Sequence, residues 1–175
     1  ARPSWAADTA GRAQVAATRV TEAWTTFANT EKTWARRQDQ LPSTHPVVAD
    51  APDMEAVKAN FDGITYAKGA SLLKQLVAWV GQEEFLDGLR EYFRIHAWGN
   101  TELSDLLKAL ERSSGRDLTA WSQEWLETAG VATLRPAFTT DDEGVFTTFA
   151  VEQTATPEHP TVRSHRVSIG LCDTD

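Results

Sequence analysis

The chain is poor in the residues that would staple it or bind a metal by themselves. Its single cysteine, Cys172, cannot close an internal disulfide. There is no cysteine pair to ligate a metal, so the chain reads as cytoplasmic, or as indifferent to its redox compartment. The four histidines, His45, His96, His159 and His165, are too far apart for two of them to share one helical face at i, i+4, and no H-E-x-x-H is present. No metal site is therefore expected within the sequence. No apolar run reaches the length of a membrane span, and the Arg2-Pro3-Ser4 start leads into mixed residues instead of the apolar core of a secretory signal. Positive charge is the minority, 17 basic against 25 acidic side chains for a net charge of −8. With no basic stripe interleaved with aromatics, nucleic acid is not an expected partner. No G-x-S-x-G elbow is present, which ranks a Ser-His-Asp hydrolase last among the readings.

What is present is helical periodicity followed by a change of period. Between Ala6 and Asp39, residues such as Val20, Trp24, Phe27, Trp34 and Gln38 step at helical intervals, predicting one or two long amphipathic helices that end before Pro42. Trp24 and Trp34 read there as core anchors. Leu41 to Pro52 carries three prolines and reads as an extended loop, after which Asp53 caps a short helix. His45, before Pro46, reads as a hydrogen-bonding strut.

The stretch Phe61-Asp62-Gly63-Ile64-Thr65-Tyr66-Ala67-Lys68-Gly69-Ala70 runs from a turn into a helix whose Leu72, Leu73, Leu76, Val77 and Val80 recur at three- and four-residue steps. Burial of that stripe would hold Tyr66 on a fixed mount near free backbone N–H groups. Local sequence alone favours a Tyr that packs its ring and bonds its hydroxyl internally.

Further helices are expected at Gln82 to Ala97, with Phe85, Leu86, Leu89 and Phe93 inward. Another follows from an Asn100 or Thr101 cap, carrying Leu103, Leu106, Leu107 and Leu110, and a last one from an Asp117 cap through Trp121 and Trp125 to Gly130. From Val131 the period becomes two, with Asp141-Asp142-Glu143-Gly144 as a hairpin turn, Thr156 to Pro160 as a loop, and a third strand around His165 to Leu171. The fold class is thus mainly α, a helical subdomain followed by a short, incomplete antiparallel sheet. Its open edge invites pairing with a second copy.

The Phe61–Ala70 block resembles the F-D-x-I-[ST]-Y-x-K-G-A block of zinc aminopeptidases of the aminopeptidase N type. Ser43-Thr44-His45-Pro46 upstream is similar to that family's S-x-H-P segment. Gly99-Asn100-Thr101, Ser114-Gly115-Arg116-Asp117-Leu118, Trp121 to Trp125 and Thr128-Ala129-Gly130-Val131 resemble its later helix boundaries in the same order. The likeness runs from about Thr21 onward. It implies a piece of a longer peptidase, residues 1–130 being the helical half of a thermolysin-like catalytic domain and 131–175 the first strands of a β-sandwich. It also implies zinc held by the N-terminal remainder of the same polypeptide and none by this fragment, a peptide substrate, and no activity of the fragment alone. By the same resemblance Tyr66 would take the role of the phenol that stabilises the developing oxyanion. Phe61 matches a position near the pocket for the substrate's first side chain, and core packing is an equal reading for it. Asp62, Lys68 and Gly69 read as structural. The rival class is a non-catalytic helical interaction module, which has no need of a pocket-facing phenol.

Overall fold

The computed structural model describes residues 22–170. Among these, six helices precede a two-stranded sheet. Helix α1 starts as an α-helical turn, Ala23–Thr26, opens into a π-helical turn, Phe27–Glu31, and closes as α-helix over Lys32–Gln38, ending before Pro42 as the periodicity predicts. The part of the predicted helical region before Glu22, Val20 included, lies outside the described residues. A loop then leads to α2, Met54–Ala59, whose N-cap Asp53 accepts from the Ala56 N–H at 2.8 Å.

Helix α3 begins with a π-helical turn, Ile64–Lys68, and continues as α-helix over Gly69–Val80. Gly81, at φ 110°, breaks it and starts α4, Gln82–Ile95, because only glycine takes that backbone angle without strain. Helix α5 spans Leu103–Ser114 and α6 spans Thr119–Trp125.

One apolar cluster holds the helices together. Leu72, Leu76, Val77 and Val80 of α3 meet Phe85 and Tyr92 of α4, Leu106, Ala109 and Leu110 of α5, and Leu118, Trp121, Trp125 and Leu126 around α6. Leu110 and Leu118 are fully buried, so each contributes near the upper end of what one aliphatic side chain yields, about 1.5–3 kcal/mol. Tyr92 buries its ring but satisfies its hydroxyl against Thr101 Oγ1 at 2.6 Å.

The inner face of α4 differs from the predicted one. Phe85, Gly88 and Tyr92 are buried, while Leu86 and Phe93 are exposed. Leu89 is partly buried against the core, and α5 packs closely on Gly88, where a Cβ would stand 2.8 Å from a Leu110 methyl and 2.7 Å from Ser113 Oγ, so the buried line of α4 runs through Phe85, Gly88 and Tyr92. Helix α5 is capped one position later than predicted. Glu102 and Asp105 form a reciprocal capping box, and Gly115 in the left-handed region closes the helix. Asp117 does accept from the Thr119 N–H at 2.8 Å, a bond that lowers the pKa of its carboxyl, and α6 ends at Trp125, well before Gly130. Trp34 is exposed instead of anchoring the core.

Strands β1, Ala132–Thr140, and β2, Phe146–Ala155, pair antiparallel through the predicted Asp141–Gly144 turn, with a bulge at Thr139/Thr140. Asp141 Oδ1 accepts from Glu143 N and Val145 N to set that turn. A third strand is not formed among the described residues. The segment after Pro160 runs alongside without joining the ladder, because its polar groups are claimed elsewhere. Arg163 N and O bond the side chain of Gln153, Ser164 N bonds Glu124 Oε2, and Arg166 reaches the Ala78 carbonyl at the end of α3. Leu171 and Cys172 lie outside the described residues.

Candidate functional site

The loop-to-helix junction at Asp62 is fixed by three side chains drawn from three parts of the chain, Asp62, Gln38 and His45. Asp62 Oδ1 accepts from the Thr65 N–H at 2.9 Å and its backbone carbonyl accepts from the Tyr66 N–H at 3.1 Å, an N-terminal cap of the kind the sequence predicts. Its other oxygen, Oδ2, takes a bond from Gln38 Nε2 at 2.6 Å and meets His45 Nε2 at 2.9 Å. Gln38 closes the circuit by accepting from the Gly63 N–H at 2.8 Å. His45 is a strut between two acceptors, Asp62 and the Pro46 carbonyl at 2.8 Å. Gly63 is required by close approach: a Cβ there would sit 2.8 Å from Gln38 Oε1 and 3.0 Å from the Trp34 ring. The contribution of Gln38 and Trp34 was not visible in the sequence, where they appear only as members of a helical stripe.

Tyr66 projects from the middle of the π-helical turn, a local widening of the helix of the kind that recurs at functional sites. Its ring is half-buried and lies against Phe61, centroids 5.8 Å apart and tilted by 48°. Among the described residues no group bonds its hydroxyl. Phe61 leaves half of its surface exposed, so it is not a core residue in this chain, and the two rings form one aromatic step facing outward.

On the other side of the same turn Lys68 points inward. Its ammonium bridges Asp39 at 2.8 and 3.0 Å, and Asp39, itself buried, also accepts from Thr44 Oγ1 at 2.7 Å and from the Gly130 N–H at 3.1 Å. Burial lowers the Lys68 pKa, and the bond to Asp39 works against that shift. Asp39 thereby ties α1, the proline loop, α3 and the root of β1 to one carboxylate. Arg163, buried, clamps the end of α6 by donating to the carbonyls of Glu124 and Ala129 and to Thr128 Oγ1. Its own pKa is lowered by burial, against the pull of Asp39 and Glu124.

A cleft of about 540 Å³ opens between Asp39–Pro42, Thr133 and His159, and Tyr66 does not line it. Among the described residues no three His, Cys, Asp or Glu side chains converge in a way that could hold a metal ion. The residues described here therefore do not fit a zinc site.

Comparison with known proteins supplies the family. The sequence profile described as "Peptidase family M1 domain" matches residues 5–125. The chain is 61% identical over 158 residues to aminopeptidase N of Streptomyces lividans, covering 87% of this chain and 18% of that protein. It is 38% identical over 109 residues to tricorn protease-interacting factor F2 of Thermoplasma volcanium, 62% of this chain and 14% of the relative. The solved structure of Legionella pneumophila aminopeptidase A in complex with aspartic acid overlays with a TM-score of 0.48 at 18% identity, over 59% of this chain and 12% of that one. The chain thus spans less than a fifth of the length of these relatives.

Proposed function

The chain belongs to peptidase family M1, and from that premise we propose that it carries the phenol half of the active site of a longer aminopeptidase, which removes residues from the N-termini of peptides. The observation that carries this reading is Tyr66, standing in the F-D-x-I-T-Y-x-K-G-A block with an uncommitted hydroxyl on a helix start pinned by Asp62, Gln38 and His45. Family M1 is zinc-dependent as a class. The metal would be held by other parts of the polypeptide.

Hydrolysis of a peptide bond passes through a tetrahedral intermediate whose former carbonyl oxygen carries negative charge. Tyr66 donates its O–H to that oxygen and keeps its proton, and because the helix start holds the ring in place, little reorganisation is needed as the charge develops. The partial positive charge of the nearby helix N-terminus acts in the same direction. Phe61 supplies an apolar wall beside the Tyr66 ring for the substrate's first side chain. The fragment by itself holds a donor without the group that delivers the attacking water, so it should not turn over substrate.

The test compares zinc content and turnover of a fluorogenic aminoacyl substrate for these 175 residues and for a polypeptide extended N-terminally by about a hundred residues, the scale of a domain. Zinc and activity in the longer polypeptide alone support a divided active site. A longer polypeptide that binds zinc yet never cleaves the substrate would refute the assignment and favour the interaction module.

A further inference from the structure

A cavity of about 230 Å³ lies where α1, α3 and α6 meet the root of β1, and its wall is unusually cationic for a chain of net charge −8. Lys32 and Arg36 of α1, Lys68 of α3, and Arg163 and His165 from the segment after β2 all line it, against one carboxylate, Asp39. That carboxylate is already committed to Lys68, Thr44 and the Gly130 N–H. Arg163 spends its bonds on neutral acceptors, two carbonyls and a hydroxyl. Among the described residues Lys32 and Arg36 make no ion pair. His165 Nε2 is buried without a hydrogen-bond partner, its ring held edge-on to Trp125 at 4.9 Å.

We propose that this cavity is a binding site for a single carboxylate or small oxyanion, held by Lys32 and Arg36 with the unpartnered His165 Nε2 as a further donor. Like charges gathered in a partly desolvated space destabilise one another unless an anion sits among them. Burial lowers the Lys32 pKa, and the neighbouring Arg36 and Lys74 lower it further. Burial and Arg163 lower the His165 pKa, with Glu124 opposing. A planar guanidinium beside an ammonium and a ring N–H donor suits the several acceptor oxygens of a carboxylate or phosphate. Tyr66 does not line this cavity, so the site stands independently of the peptidase reading.

Two sources offer this chemistry, a free anion and an acidic side chain from the rest of the polypeptide, and one experiment separates them. The full-length enzyme and its Lys32→Gln/Arg36→Gln variant are unfolded thermally with and without inorganic phosphate, ionic strength being held constant with chloride. A saturable rise of Tm with phosphate, with an apparent Kd about tenfold or more weaker in the variant, supports a free-anion site. No response to phosphate but a lower Tm in the variant supports an internal carboxylate as the occupant. No response to phosphate together with an unchanged or raised Tm in the variant, the signature of relieved repulsion with nothing lost, overturns the proposal. Both substituted positions are solvent-reaching cations of α1 away from the apolar cluster, so the variant is expected to fold, and far-UV circular dichroism checks it.

Discussion

Asp39→Asn is the substitution with the most to reveal about how the helices and the hairpin are joined. The amide keeps an oxygen for Thr44 and for the Gly130 N–H but removes the charge that faces Lys68, whose side chain is only 11% exposed. Breaking one partner of a buried pair leaves the other charge desolvated and uncompensated, about 3–5 kcal/mol. For a chain of this length that is a fall of roughly 6–20 °C in Tm. Lys68→Met in the same background removes the stranded charge and fills its space with apolar atoms, so the double variant should recover most of the loss.

The pH dependence of the single variant follows from the direction of the Lys68 shift. The folded-state pKa lies below lysine's ordinary range, so between the two values the unfolded chain binds more protons and stability rises with pH. Loss of Asp39 removes the interaction that opposes the shift. The deficit of Asp39→Asn should therefore shrink as pH rises through the lowered pKa towards lysine's ordinary range. Denaturant unfolding of wild type, both single variants and the double variant across that range gives the coupling energy. A double variant as unstable as the sum of the two singles, with no narrowing of the deficit at high pH, would refute the idea that this pair carries the junction.

Other perturbations should behave as follows. Leu110→Ala opens a cavity at a fully buried position and should lower stability by about 2–5 kcal/mol in denaturant melts. Gly130→Ala should lose at least about 1–2 kcal/mol, since φ is +81° and the new Cβ would stand 2.5 Å from His159 Cβ, and the loss is read from the same melts. We propose that the unpaired sheet edges and the exposed face formed by Leu134, Phe138, Phe149 and Val151 promote self-association at high concentration. Sedimentation should then show dimers that Phe149→Lys abolishes, and a monomer at all concentrations would contradict this.

The parts of the fold set by local sequence were legible. The Leu72, Leu76, Val77 and Val80 stripe, the Asp53 and Asp62 caps, the Gly81 and Gly115 stops and the Asp141–Gly144 turn all depend on residues within a few positions of one another. What was not legible depends on distant partners. Asp39 reads as one more polar residue near a helix end until Gly130, 91 positions later, donates to it. Gln38 gives no hint of reaching Gly63. The alternation from His165 to Leu171 was a reasonable strand signal, and it failed because Arg163 and Arg166 are drawn to carbonyls at helix ends instead of to a neighbouring strand. On α4 the expected inner face holds for Phe85 and in part for Leu89, while Leu86 and Phe93 are exposed, because a feature that periodicity ignores, Gly88 admitting a neighbouring helix, shifts the buried line. At the candidate site the block motif singles out Tyr66 and Phe61 as candidates, while the scaffold that fixes their backbone becomes apparent only in three dimensions.

The most direct test of the central claim is the turnover of Tyr66→Phe in the full-length enzyme on a fluorogenic aminoacyl substrate. A fall in kcat of about 10²–10³ is expected with KM and the fold little changed, because only a hydrogen bond made to the developing oxyanion is lost. Undiminished kcat in a correctly folded, zinc-loaded Tyr66→Phe enzyme would contradict it.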